Sequence, residues 1–112
     1  YMQALHILIM LRGKNIENTS GKKLLLDADW DKLFHLSNAI HGDFITRIKN
    51  DFPTLTKHDI EICCLLRFGI EHEVLGSIFL TETDSVTKAK RRMKKRLNLS
   101  ASDDLDVFLL KY

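Results

Sequence analysis

The segment from Ser85 to Leu99 decides how the chain folds, and its sequence is Ser-Val-Thr-Lys-Ala-Lys-Arg-Arg-Met-Lys-Lys-Arg-Leu-Asn-Leu. It contains seven basic side chains and no acidic one. The whole chain has 17 basic and 15 acidic residues, so acids outnumber bases outside this segment, and the net charge of +2 conceals a polarised distribution. Apolar residues recur in the segment at helical spacing, namely Val86, Ala89, Met93 and Leu97. The pattern predicts a helix with one buried face and other faces suited to an anionic partner.

Composition favours one small all-α globular domain. The 112 residues are 45% apolar and 29% charged, which is typical of a folded soluble protein. The chain has one Pro and 5 Gly, too few for the many tight turns of an all-strand fold. Its two cysteines, Cys63 and Cys64, are adjacent in a predicted helix, where their side chains diverge, so we expect inert core thiols in a reducing, cytoplasmic compartment.

Helical spacing and turn residues predict seven helices. They cover 2–12, 29–40, 43–51, 55–69, 71–79, about 84–97, and a short last helix around 105–110. Thr56 is expected to cap the fourth helix, with Asp59 at its positive end, and Gly69 to end it. Ser100 or Ser102 is expected to cap the last helix.

The polar stretch 14–26 is the one candidate domain boundary. It separates residues 1–26, an apolar helix and linker that form a candidate dimerisation element, from a helical domain over 27–112. The apolar run from Ala4 to Leu11 is too short to span a membrane, so we expect no membrane segment in this chain. Since the chain begins at Tyr1 rather than Met, we expect it to be the C-terminal piece of a longer protein, which could itself be membrane-anchored.

The region around the basic segment resembles a LuxR-type helix-turn-helix DNA-binding domain, without a gap from Leu55 to Leu99. The matching positions are Leu55-Thr56, Glu61, Gly69-Ile70, Leu75-Gly76, Ser85-Val86 and Leu97-Asn98-Leu99. Residues 30 to 99 further resemble the variant that ends larger bacterial regulators carrying tetratricopeptide repeats; the matches include Trp30, Phe44, Phe52-Pro53 and the run from Arg91 to Leu97. The resemblance implies a C-terminal four-helix unit, with its helix-turn-helix at 71–97, that binds double-stranded DNA as a homodimer and regulates transcription.

The resemblance also implies which side chains meet DNA. Thr87, Lys88 and Arg91 stand where the family's recognition helix faces the major groove, and Ser85 and Lys95 stand where it meets the backbone. Arg91 is the strongest candidate for reading a base, because a guanidinium can bond one guanine edge at two points. Arg92 completes the predicted set. A charge run is also typical of a solvated face, and this is the alternative interpretation of Arg92, Lys94 and Arg96.

The chain departs from the family pattern in the turn before the basic helix. Leu80 stands where the family usually has Gly or Asn, and Thr81 and Glu82 replace an apolar residue and Ser. Because Leu is poorly suited to a positive φ, we expect either a different turn geometry or a longer helix. Gly76 is expected to allow the close approach of the two helices.

The departures favour a second hypothesis, a helical protein interaction domain that has kept this shape and lost DNA binding. Acidic residues near the expected DNA interface, namely Glu71, Glu73 and Glu82, favour it as well. For dimerisation two sites are open: the last helix around Phe108 and Leu109, or the first helix at Leu5, Leu8 and Ile9.

Catalytic and metal-binding patterns are missing from the sequence. None of the five histidines pairs at metal-ligand spacing with a third ligand, and there is no phosphate-binding loop or nucleophile with its base. We therefore expect a non-enzymatic protein with no cofactor, no metal and no small-molecule substrate.

Overall fold

The computed structural model describes residues 1–12 and 24–112, and within these ranges the chain forms seven α-helices and no strand. The helices are α1 (Met2–Arg12), α2 (Asp27–Ile40), α3 (Phe44–Asp51), α4 (Lys57–Arg67), α5 (His72–Ile78), α6 (Thr83–Arg96) and α7 (Leu105–Lys111). The all-α prediction is confirmed, and most helix ends lie within two residues of the predicted ones. The larger part of the predicted linker lies outside the described residues.

Helix α4 is the centre of the core, because seven of its eleven residues are buried. Helices α2, α3 and α7 pack around it. Cys63 and Cys64 are free and buried on it, as predicted. Burial raises the pKa of the Cys63 thiol to about 12, with the nearby Asp59 carboxylate adding to the effect, and burial also raises the pKa of Cys64. Both side chains therefore remain protonated, unreactive thiols at neutral pH.

Helix α1 is part of this core. Ala4, Leu8 and Leu11 are buried against the rest of the chain, and α1 packs on α2. The Arg12 side chain donates a hydrogen bond of 2.6 Å to the Phe68 carbonyl at the end of α4. Leu8 is buried within the chain, whereas Leu5 and Ile9, the other two residues predicted for a contact between subunits on α1, are exposed.

The predicted cap of α4 is confirmed, and that of α7 is corrected. The Thr56 hydroxyl accepts from the Asp59 amide at 3.1 Å, and the Asp59 carboxylate accepts from the Thr56 amide at 2.9 Å, which is a complete capping box. Helix α7 begins at Leu105, so neither Ser100 nor Ser102 is its cap residue. Asp104 caps the helix instead, because its carboxylate accepts from the Val107 amide at 3.1 Å. A carboxylate at this place also suits the positive end of the helix dipole.

Candidate nucleic-acid interface

The turn between α5 and α6 has the left-handed residue that the sequence argued against. Leu80 has φ of 54° and stands directly after the α5 cap residue. The Thr81 amide donates to the Gly76 carbonyl at 2.9 Å, which closes the turn as a Schellman motif. The expectation of another turn geometry is therefore wrong, since hydrogen bonding holds a leucine in a conformation that glycine adopts more easily.

Gly76 is required by this turn rather than by the packing of two helix axes. A Cβ at Gly76 would lie 2.8 Å from the Thr81 carbonyl oxygen, closer than carbon and oxygen atoms can approach without a shift of the backbone. The same motif ends α4 at Gly69, with φ of 80°, and α6 at Asn98, with φ of 60°. The turn therefore uses a standard helix ending with an unusual residue.

Helix α6 has the predicted buried face. Val86, Ala89 and Met93 are buried, as is Leu97 directly after the helix, and α6 packs against α5. These contacts fix the rotation of α6 about its axis. The predicted range of about 84–97 differs from the observed helix by one residue at each end.

Three of the seven basic side chains on α6 form ion pairs or hydrogen bonds with other parts of the chain. The Lys90 ammonium lies 3.1 Å from the Asp106 carboxylate of α7, and the Lys94 ammonium donates to the Ala101 carbonyl at 3.3 Å. The Arg96 guanidinium pairs with the Asp59 carboxylate at 2.6 Å, where Asp59 is 3% exposed. The interpretation of Lys94 and Arg96 as merely solvated cations is therefore wrong.

The Arg96 and Asp59 pair connects α6 to the start of α4. The same Asp59 carboxylate oxygen accepts from the Thr56 amide and from Arg96, so the cap of one helix also holds the end of the other. Removal of one partner from a buried pair leaves the other charge unpaired, which is far more costly than loss of an exposed pair. The pair therefore gives α6 a fixed position relative to the core.

The other four basic side chains are exposed, and none of them forms an ion pair with a residue in the described ranges. They are Lys88, Arg91, Arg92 and Lys95, and we call them the cation stripe. Their spacing of three and four residues places them on one side of α6, opposite its buried face. Sequence reasoning alone could not separate them from Lys90, Lys94 and Arg96, because the separation depends on partners from α4 and α7.

The two hydroxyl residues of the predicted site, Ser85 and Thr87, differ in their contacts within the chain. Ser85 is exposed near the start of α6, beside the cation stripe. Thr87 is exposed as well, but its hydroxyl lies 3.2 Å from the Thr83 carbonyl and 3.4 Å from Nε2 of His72. The Thr87 hydroxyl is therefore already engaged within the chain, whereas no hydrogen bond of this kind involves Lys88 or Arg91 in the described ranges.

A groove of about 650 Å³ lies along one side of α6, between this helix and the segment that leads into α7. Thr87, Arg91 and Lys95, which follow each other at intervals of four residues, line it together with His72 from α5. The opposite wall carries Asp103 and Asp104. Sequence reasoning did not assign His72 to this surface, because the proximity of the start of α5 to α6 depends on the turn geometry.

Comparison with known proteins places the chain in no group: no family model, curated protein or solved structure matches it. No helix in the described ranges is both long enough and apolar enough to cross a membrane. In the same ranges, no three His, Cys, Asp or Glu side chains are arranged to hold a metal ion.

Proposed function

We propose that this chain is the DNA-binding module of a transcription regulator, with the exposed side of α6 in the major groove. The cation stripe is the observation that carries the proposal. Four basic side chains share one side of a helix whose opposite face is anchored in the core, while Lys90 and Arg96 are paired with carboxylates of the same chain. Such an arrangement is suited to a polyanion, because its charge remains available and its position is fixed.

The dimensions of α6 agree with this role. Its 14 residues span about 21 Å at 1.5 Å per residue, and the major groove admits one α-helix. Lysines of the stripe would neutralise phosphates and release counterions, which supplies affinity without sequence preference. Arg91, near the middle of the stripe, would supply base recognition through its two-pronged donor geometry.

The salt dependence of binding to a random-sequence duplex tests the proposal. With two to four phosphates neutralised, the slope of log affinity against log salt concentration should lie at about −2 to −4. The double variant Lys88→Gln with Lys95→Gln should make this slope less negative by about 2, whereas Lys111→Gln, an exposed lysine on α7, should leave it unchanged. A wild-type slope indistinguishable from zero would overturn the proposal.

One observation favours the alternative of a protein interaction domain without DNA binding. Glu71 and Glu73 at the start of α5, and Glu82 and Asp84 at the start of α6, are all exposed, and they would repel phosphates that approach these helix ends. Under this alternative the stripe binds an acidic protein surface, and duplex DNA shows no salt-dependent association. The titration above therefore distinguishes the two functions.

We further propose that two copies of the chain associate, as a palindromic DNA site would require. Leu109 is completely buried in the core of its own chain, and Phe108, the other residue predicted for a contact on α7, is partly buried. Exposed apolar residues are available for self-association on both helices, namely Met2, Leu5, Ile9 and Met10 on α1, and Val107 and Leu110 on α7.

A further inference from the structure

His72, the first residue of α5, lies beside the side of α6 that carries the cation stripe. Its side chain is half-buried, with Nε2 at 3.4 Å from the Thr87 hydroxyl oxygen. Since the Thr87 hydroxyl also lies 3.2 Å from the Thr83 carbonyl, which can only accept, the hydroxyl donates to that carbonyl and accepts from Nε2 of His72. The imidazole is thereby oriented by Nε2, which leaves Nδ1 as the position for a second proton.

His72 also stands at the end of a row of polar side chains. Thr87, Arg91 and Lys95 follow one another along α6 at intervals of four residues and line the groove with it. The Lys90 and Asp106 ion pair and the hydrogen bond from Lys94 to the Ala101 carbonyl hold the two walls of the groove together. Helix α5, which begins at His72, packs against α6, so the position of His72 relative to Arg91 is set by the contact between these two helices.

When the second helix of a helix-turn-helix lies in the major groove, its first helix crosses the phosphate backbone. A side chain at the start of α5, next to α6, then lies where a phosphate passes. We propose that His72, in its protonated form, binds a DNA phosphate next to the cation stripe and makes DNA affinity increase as pH falls. This inference rests on the proposed DNA-binding function.

The charges around His72 are mixed, and most are already paired or capped. The groove lining contributes four cations from α6, namely Lys90, Arg91, Lys94 and Lys95. It also contributes Asp103 and Asp104 before α7 and Asp106 on α7. Glu71 and Glu73 are the sequence neighbours of His72. Asp106 is paired with Lys90, Asp104 caps α7, and Asp103 accepts from the Ser100 amide at 2.7 Å. A phosphate would add negative charge beside the imidazole and favour its protonated form, so that binding and proton uptake are coupled.

The test measures the salt slope of binding to a random-sequence duplex at about pH 8 and about pH 6, across which histidine side chains generally change charge. In the wild type the slope should become more negative by about 0.9 at the lower pH, which corresponds to one additional neutralised phosphate. His72→Gln should give one slope at both pH values. His72→Arg, which carries a permanent cation, should give the steeper slope at both.

His35→Gln provides the matched control, since His35 is an exposed histidine on α2, outside the groove; this variant should keep the wild-type dependence on pH. If the difference between the two pH values persists in His72→Gln, or is missing from the wild type while the slope stays steep, the inference is overturned and DNA binding stands. A slope of zero at both pH values overturns the proposed function itself. Thermal unfolding of each variant shows whether it is folded. If His72→Gln is unfolded, the slope of His72→Arg at the two pH values still decides the inference.

Discussion

At the scale of single residues, Leu80 shows how a hydrogen-bonded turn overrides a local preference. Its φ of 54° lies in the left-handed region, which costs a residue with a Cβ about 1 to 2 kcal/mol. The Thr81 to Gly76 hydrogen bond and the missing side chain of Gly76 hold the turn in this form. Since a left-handed C′ residue is usually Gly, the sequence favoured a different turn. Only the backbone conformation shows that Leu80 adopts the left-handed region despite its conformational penalty.

The strain at Leu80 can be measured by comparing two truncations. Both Leu80→Gly and Leu80→Ala lose the leucine side chain, but only alanine retains the penalty of the left-handed conformation. We expect Leu80→Gly to have a higher free energy of unfolding than Leu80→Ala by about 1 kcal/mol, measured by urea denaturation.

The control for this comparison is Arg92, an exposed residue inside α6. There the order should reverse, with Arg92→Ala more stable than Arg92→Gly by about 0.5 to 1 kcal/mol. If the alanine variant were the more stable one at Leu80 as well, the turn would carry no such strain in solution.

At the scale of the helices, the sequence predicted which helices form and which face of α6 is buried. It did not predict which basic side chains of α6 have partners within the chain. The apolar spacing of Val86, Ala89 and Met93 was sufficient to identify α6 and its buried face, because burial follows directly from periodicity. Which cations remain available was not predictable, because Asp59 and Asp106 approach α6 from parts of the chain 37 and 16 residues away. The DNA-contact roles of Ser85, Thr87, Lys88, Arg91, Arg92 and Lys95 remain predictions.

Two positions of the cation stripe should contribute to binding in different ways. Arg91→Ala is expected to cost about 1 to 3 kcal/mol of binding free energy on a cognate site and to relax the preference at one base position. Lys95→Ala is expected to weaken binding to all sequences alike and to make the salt slope less negative by about 0.9. Selection of preferred sites from a randomised duplex pool, followed by titration of selected and random DNA, measures both effects. Equal losses on the two kinds of DNA for both variants would contradict this division of roles.

At the scale of the whole molecule, the described surface combines the cation stripe with an apolar surface on α1. Tyr1, Met2 and Ile9 are 70% or more exposed, and Leu5 and Met10 are exposed by nearly half. On α7, only Val107 and Leu110 are comparably apolar and exposed. Helix α1 contains no acidic residue, and its one basic residue, Arg12, donates to the Phe68 carbonyl. Two copies of α1 could therefore approach each other without repulsion between charged side chains.

We accordingly expect self-association to depend on α1 more than on α7. Leu5→Glu with Ile9→Glu should shift the mass measured by sedimentation equilibrium toward that of the 13.0 kDa monomer, because each copy would bring two carboxylates into an apolar contact. The core of the chain should survive, since Ala4, Leu8 and Leu11 are unchanged. Val107→Glu with Leu110→Glu is the matched control on α7 and should leave the mass unchanged. If the α7 variant lowers the mass and the α1 variant does not, the contact lies on α7. A wild type that is monomeric at all concentrations, with and without duplex, would contradict self-association altogether.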